Sequence, residues 1–583
     1  MTDVTPEPDG SFIGADLIVF NAKVTTQDLA RPEASALAVK RGRIYAVGSD
    51  AEILGLQDRS TQVIDADGRR LIPGLNDAHI HVLSERGLNY TVRWEGVPTL
   101  KHALEMLHEQ GQRTPEGQWV KVIGGWSPYQ FEEKRFPTLE ELNKAVPNRP
   151  SIVQYAYNRA YLNDLAMQEL GVGTPQFPVL PGTVLETDNE GRHTGLVEGY
   201  TFQFLTMEAM VPQPSFDEQL SSLIYVFNDL NRFGVTSVIE AAASDGWPQG
   251  HDPLRALARD DVLNVRFSFI DMGFDPNVSD WVDAHIEAVT RKSPISPGEN
   301  LHPTMGHGYE YEGWGESMGA ELHDHENFDQ PAVVADKDAI GRFVRADIAR
   351  LIERRIPFRV HASYNENIEP FLDALEEVNT RIPLDDMRWS IEHAETITPE
   401  NIERVKRLGG GIALDGKMAL HGDAFAATHG RDKVLQTPRL RALVESGIPL
   451  ALTSDGYRAS SYRPWLGISW AVTGKSVSGS QVLAQDNRLT REEALKLYTL
   501  GAAWFEHQEH EKGRISPGNV ADFALLSGDY FTVPEDEIAT ISSVLTVLDG
   551  RVVFGTGQYG ALSPELPEPL PEWSPTKHYA GQY

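Results

Sequence analysis

The 583-residue chain contains no cysteine. That absence excludes disulfides, thiolate nucleophiles, iron–sulfur clusters and cysteine-type zinc sites, so any metal must be held by His, Asp, Glu or a modified Lys. Long apolar runs are also missing, and no stretch approaches the ~20 residues needed to cross a bilayer. The opening Met1-Thr2-Asp3-Val4-Thr5-Pro6-Glu7-Pro8-Asp9-Gly10 has neither a basic start nor an apolar core, so no signal peptide is expected and the expected location is cytoplasmic. Basic residues are scarce: 52 Lys and Arg stand against 84 Asp and Glu, a formal charge of −32. A surface of that sign repels phosphate backbones and anionic lipid, which argues against nucleic acid and membranes as partners. Assembly into homo-oligomers stays open.

What is present falls into three styles of sequence. The first seventy residues carry short β-branched runs, Ala15–Phe20, Leu37–Lys40, Ile44–Gly48 and Gln62–Asp65, punctuated by Gly and Asp. The same style returns at 521–526, 543–548 and 551–554, with Asp549-Gly550 as a hairpin signal. Two β-rich ends around a different middle predict one small β-sandwich domain built from residues 1–70 plus 512–583. Its last stretch, with Pro564, Pro567, Pro569, Pro571 and Pro575, reads as an extended surface tail. The middle, 71–511, alternates short apolar runs with helical patterns, the signature of βα units. Strand ends are expected at His79/His81, 235–240, 265–271, 302–312, 358–361, 389–393, 411–415 and 450–455. Eight is the number for a closed α/β barrel of the (β/α)8, TIM-like type. The gap after the first strand is too long for one crossover and predicts an insertion over about 85–230.

The chemistry concentrates at the strand ends. Ile72-Pro73-Gly74-Leu75-Asn76-Asp77-Ala78-His79-Ile80-His81 places two histidines two apart at the end of an apolar run. On a strand, i and i+2 share a face, so both imidazoles converge, which suits a borderline metal such as zinc. Three later runs end on His361, His393 and Asp455. In a parallel barrel all C-terminal strand ends lie on one rim, so these residues meet although they are far apart in sequence. Singly, each is as readily a structural histidine or a turn aspartate; the ordered set is harder to obtain by accident.

At these residues the chain resembles the amidohydrolase superfamily. Residues 72–81 are similar to its Pro-Gly-x-x-Asp-x-His-x-His first strand, and His361, His393 and Asp455 match its metal or catalytic positions on strands five, six and eight. Gly513-Arg514-Ile515-Ser516-Pro517-Gly518-Asn519-Val520-Ala521-Asp522 resembles the family's return into the small β domain, and 546–553 its closing hairpin. The long insertion with Thr194-Gly195-Leu196-Val197-Glu198 looks like the branch containing N-substituted formamide deformylases. One departure stands out. Two-metal members often carry a carboxylated lysine at the end of strand four, yet residues 302–316 contain no lysine. Either the site holds one metal, or Glu310, Glu312 or Glu316 replaces the bridging group.

The resemblance implies a metal-dependent hydrolase of C–N bonds, of amide or N-substituted formamide type, with one or two divalent ions, zinc being the expected one. His79, His81, His361, His393 and Asp455 are the expected ligands, with Asp455 as proton shuttle and His393 as its catalytic partner; His393 or His361 would polarise the carbonyl of a small-molecule substrate if only one of the two binds metal. A bound zinc-class ion brings water to a pKa near 7. Insertion aromatics Trp126, Tyr129, Tyr155 and Tyr157, with Glu198, are candidates for the substrate pocket. The alternatives are a deaminase or cyclic amidase, or a non-hydrolytic isomerase, decarboxylase or oxygenase on the same fold.

Overall fold

A computed structural model of the chain describes residues 14–83, 87–199, 201–241, 249–271, 300–316, 324, 328–330, 332 and 334–579. Its centre is a sheet of eight parallel strands: Leu75–Ile80, Val235–Glu240, Arg266–Asp271, Tyr309–Trp314, Phe358–Ala362, Trp389–His393, Gly411–Asp415 and Leu450–Thr453, each paired with the next. Every residue of these strands is buried, as expected of a parallel sheet covered on both faces. The ends are joined where the Asp455 N–H donates to His79 O (2.9 Å) and the His81 N–H to Gly456 O (2.8 Å). This is the TIM-like barrel the alternation predicts.

The fourth strand departs most from the expected bounds, while the eighth ends at Thr453 rather than 455. The fourth runs over Tyr309–Trp314 rather than 302–312, because 302–308 is a turn. Asn300 Oδ1 accepts from the N–H groups of His302, Gly308 and Tyr309 (3.1 Å each) and holds the chain bent there. Beyond the turn, Gly313 and Gly315 take φ of 143° and 146°, and a Cβ at either would lie 2.3–2.4 Å from a carbonyl oxygen of the neighbouring strand. Only glycine allows that approach. It brings the following residue, Glu316, over the barrel mouth.

Strands from both chain ends interleave beside the barrel. One sheet contains Leu17–Phe20, Ala36–Lys40, Arg43–Gly48 and Gln62–Asp65. A six-stranded sheet joins Lys23–Thr25, Glu33–Ala34 and Arg70–Pro73 to Phe523–Leu526, Ser543–Leu548 and Arg551–Gly555, with Ala524 opposite Ile72. Arg70–Pro73 runs through Gly74 directly into the first barrel strand.

Between the first two barrel strands lies a separate five-stranded sheet, ordered Val184–Thr187, His193–Glu198, Arg159–Leu162, Ser151–Tyr155, Val120–Val122. The helix Leu100–Arg113 lends its apolar face to this unit's own core with Trp94, Trp126 and Tyr155. The proline-rich tail is irregular over 563–575, as expected, but it is docked rather than free on the surface. Ser574 is fully buried and donates to Asn89 O (2.7 Å), Asn89 Nδ2 donates to Leu570 O (3.0 Å), Gln110 Nε2 to Trp573 O (3.0 Å), and Tyr225 Oη to Pro567 O (2.6 Å). Proline cannot donate, so it leaves carbonyls free to accept from the helices it crosses.

Candidate metal centre

Seven of the eight barrel strands deliver a charged or imidazole side chain to the mouth: His79 and His81 from the first, Glu240 from the second, Glu316 just beyond the fourth, His361, then Glu392 and His393, then Asp415 and Lys417, and Asp455 after the eighth. None is more than 6% exposed. Glu392 and His393 are adjacent, and a regular strand would point them to opposite faces. His393 has φ 78° and Asp455 φ 50°; this left-handed backbone breaks the alternation and turns both side chains inward.

Glu316 sits among four imidazoles. Its Oε2 lies 3.1 Å from His361 Nδ1 and 3.0 Å from His393 Nε2. Its Oε1 lies 3.5 Å from His79 Nε2 and 3.4 Å from His81 Nε2. Asp455 Oδ1 approaches the latter pair at 3.6 and 3.1 Å. The remaining ring nitrogens have acidic or carbonyl neighbours. His79 Nδ1 donates to Glu392 Oε2 (2.6 Å), His393 Nδ1 to Asp415 Oδ2 (2.7 Å) and His361 Nε2 to Asp324 O (2.8 Å), while His81 Nδ1 stands 3.7 Å from Glu240. Such outer partners fix ring orientation and leave one nitrogen per ring for a metal. His79 Nε2 and both Asp455 oxygens are buried yet make no well-aligned hydrogen bond. Donor atoms of hard and borderline type without a well-aligned hydrogen bond, collected in one buried spot, fit a divalent cation.

The electrostatics point the same way. Burial opposes charge on His79, but Glu316 and Glu392 outweigh it and push the imidazole up to about 10; His361, opposed by burial and by His393, is raised to about 10 by Asp324 and Glu316. Burial opposes ionisation of Glu316 too, and the His79 charge with the His361 and His393 bonds holds it well below the usual carboxylate range. For Asp455, Lys417, His81 and His79 overcome burial in the same direction. A field that favours protonated imidazoles favours any cation there.

The structure brings together His79, His81, His361, His393, Asp455 and, of the three carboxylates offered for the bridge, Glu316. Glu310 and Glu312 are elsewhere: Glu310 accepts from Gln508 Nε2 (2.7 Å) and pairs with His307 (3.0 Å), and burial with the neighbouring Glu310 and Glu506 raises Glu312 well above the carboxylate range. Strand alternation within Tyr309–Trp314 keeps both inside the barrel below the mouth, so neither can bridge. Trp126 is part of the insertion core, its Nε1 donating to Gln154 O (2.9 Å), and Glu198 pairs with Arg159 (2.6 Å) on the insertion sheet. Tyr155 Oη meets His421 Nδ1 (2.9 Å), and the Tyr157 ring stands edge-on to His81 at 6.4 Å. Sequence reasoning missed Glu240, Asp324, Glu392, Asp415 and Lys417. Glu240 and Asp415 are the last residues of expected strands, so the strand-end rule applied to carboxylates would have found them.

Residues 62–554 match the family model described as "Amidohydrolase family". The chain is 25% identical over 559 residues to an N-substituted formamide deformylase of Arthrobacter pascens, covering 92% of this chain and 97% of that protein. Its fold is shared by an uncharacterized metal-dependent hydrolase from Pyrococcus horikoshii (TM-score 0.62, 18% identity, 89% of this chain and 99% of that one). It is also shared by atrazine chlorohydrolase from Arthrobacter aurescens in complex with zinc (TM-score 0.50, 14% identity, 95% and 97%). With strand order, rim histidines and a family match over most of its length in agreement, the chain belongs to the amidohydrolase family and is a hydrolase acting on carbon–nitrogen or similar bonds.

Proposed function

We propose that the protein hydrolyses the C–N bond of an amide or N-substituted formamide at a centre for two divalent ions, which the Glu316 carboxylate would help to hold. The observation that carries this reading is the division of the Glu316 carboxylate, one oxygen toward His79 and His81 and the other toward His361 and His393. His79, His81 and Asp455 would hold one ion, and His361 and His393 the other. Zinc is the ion we assign, since imidazole and carboxylate donors suit it and atrazine chlorohydrolase of the same fold is seen with it. Bound ions of this class lower the pKa of water to about 7 and polarise a carbonyl. Asp455 takes the proton of the attacking water on Oδ1 and returns it to the leaving amine. The Tyr157 ring, edge-on to His81, offers an aromatic surface that suits an apolar or aromatic N-substituent, and the deformylase relative is named for N-substituted formamides.

The test is elemental analysis of the purified protein, followed by turnover on N-alkyl and N-aryl formamides, linear amides and cyclic amides with zinc, manganese or cobalt supplied. We expect two ions per chain and release of formate with a primary amine; Glu316→Gln should reduce the ion count below two. Ammonia release from an amino-heterocycle would instead indicate a deaminase, and full ion content in Glu316→Gln would remove Glu316 from that role.

A further inference from the structure

Lys417 has no part in the reaction just described, yet it is the most enclosed cation at the rim. It follows the seventh strand, is 1% exposed, and its N–H donates to Asp415 Oδ1 (2.9 Å). Its Nζ lies 2.9 Å from Asp455 Oδ2, 3.1 Å from Asp415 Oδ2, 3.4 Å from His393 Nδ1 and 3.8 Å from Glu395 Oε1. His393, Glu395 and Asp415 are themselves close enough to share an ion. Both Glu395 oxygens are buried without a well-aligned hydrogen bond. The lysine nitrogen therefore lies among the donors of a third cation pocket beside the metal centre.

We propose that Lys417 is a tethered cation that occupies this third pocket, keeps metal out of it, and positions Asp455. The assignment of Asp455 as ligand and base rests on the function proposed above. An ion bound by Asp415 and His393 Nδ1 would take Asp415 from the imidazole it orients and pull Asp455 Oδ2 into coordination. An ammonium group balances the same carboxylates by ion pairing and displaces no imidazole. It also engages Asp455 Oδ2 and so leaves Oδ1 facing His79 and His81. A compact point charge is needed here; the planar guanidinium of arginine is wider and its donors are fixed in a fork.

The test compares Lys417→Ala, which opens a space, with Lys417→Met, which fills it without charge. With saturating zinc, Lys417→Ala should gain one ion per chain and lose about 10²-fold in kcat, the scale of a misplaced catalytic group. Ethylammonium should restore turnover and return the ion count to that of the parent, whereas tetramethylammonium or sodium at equal ionic strength should not. Lys417→Met should be slow and unresponsive to amine. If Lys417→Ala folds poorly, its refolding yield and Tm in metal-free buffer become the readout, and we expect ethylammonium alone to raise them. Parent-like ion count and kcat in both variants, or no response to ethylammonium beyond that to sodium, would overturn the proposal. Because the metal-free Tm series needs no activity, it still judges Lys417 if the parent hydrolyses none of the substrates tried.

Discussion

At His393 and Asp455 the backbone stays in a region that non-glycine residues avoid, at a cost of about 1–3 kcal/mol each, and this places both side chains at the candidate metal centre. If Asp455 is the proton shuttle, Asp455→Asn should keep a neutral oxygen donor but lose at least 10²-fold in kcat, on the scale of ~10²–10⁴ for general acid–base catalysis. Turnover measured beside metal content decides it; a variant with its metal and less than about tenfold loss would clear Asp455 of the role. The imidazoles supply a second expectation. In metal-free protein, His79 and His361 are pushed from their ordinary value up to about 10. Their stabilisation is therefore fully present below the unfolded value near 6.5 and is lost as pH rises through about 10. Bound metal needs those nitrogens deprotonated, so metal-dependent stabilisation should run the other way and fade as pH falls. Tm against pH, with and without chelator, should show two opposed slopes; parallel curves would mean that these rings do not bind the ion. His79, His81, His361, His393 and Asp455 were legible because each ends an apolar run. Glu392 was not, since alternation assigns it the face opposite His393 and only the positive φ of His393 reconciles the two. Lys417 lies in a turn, outside any periodic pattern.

Among elements, the fourth strand and the C-terminal tail depart most from what periodicity predicts. Tyr309-Glu310-Tyr311-Glu312 alternates well enough to be read as strand, but the bend at 302–308 depends on Asn300 reaching back to three N–H groups, and a side-chain cap of that reach has no period. The tail shows the same limit. Composition marks it as irregular, and irregular chain can still be bound. Tyr579 Oη donates to Met106 O (3.2 Å) and Trp573 packs edge-on against Tyr90 at 5.0 Å, so the tail bridges the start of the insertion and the helix Phe216–Arg232. Deleting residues 564–583 should leave the barrel folded while exposing Leu88–Arg113 to faster proteolysis and amide exchange, because Asn89 loses three hydrogen bonds. Unchanged exchange over that stretch would show the tail to be passive.

For the molecule as a whole, the joint between barrel and terminal sheets is electrostatic as well as strand-paired. Arg266, fully buried at the start of the third strand, holds Asp522 at 2.6 Å and Asp549 at 3.1 Å. Removing one partner of a buried pair leaves a charge without compensation, so Asp522→Ala should lower unfolding free energy by about 3–5 kcal/mol. Denaturant titration would report it, and a loss below about 1 kcal/mol would mean that Asp549 alone suffices. The family resemblance of 513–522 located this joint, and the barrel, the interposed sheet and the return of the C-terminal strands were all foreshadowed by composition and spacing. The partner of Asp522 was not, because Arg266 opens a strand that reads simply as apolar. The interleaved six-stranded sheet has a consequence for biosynthesis. Arg70–Pro73 pairs with Phe523–Leu526, so the earlier strand leaves the ribosome some 450 residues before its neighbour exists. At about 5–20 residues per second that is roughly 20–90 s with an open apolar edge. Chaperone supply and translation speed, more than the stability of the finished protein, should then govern how much of it a cell recovers in native form.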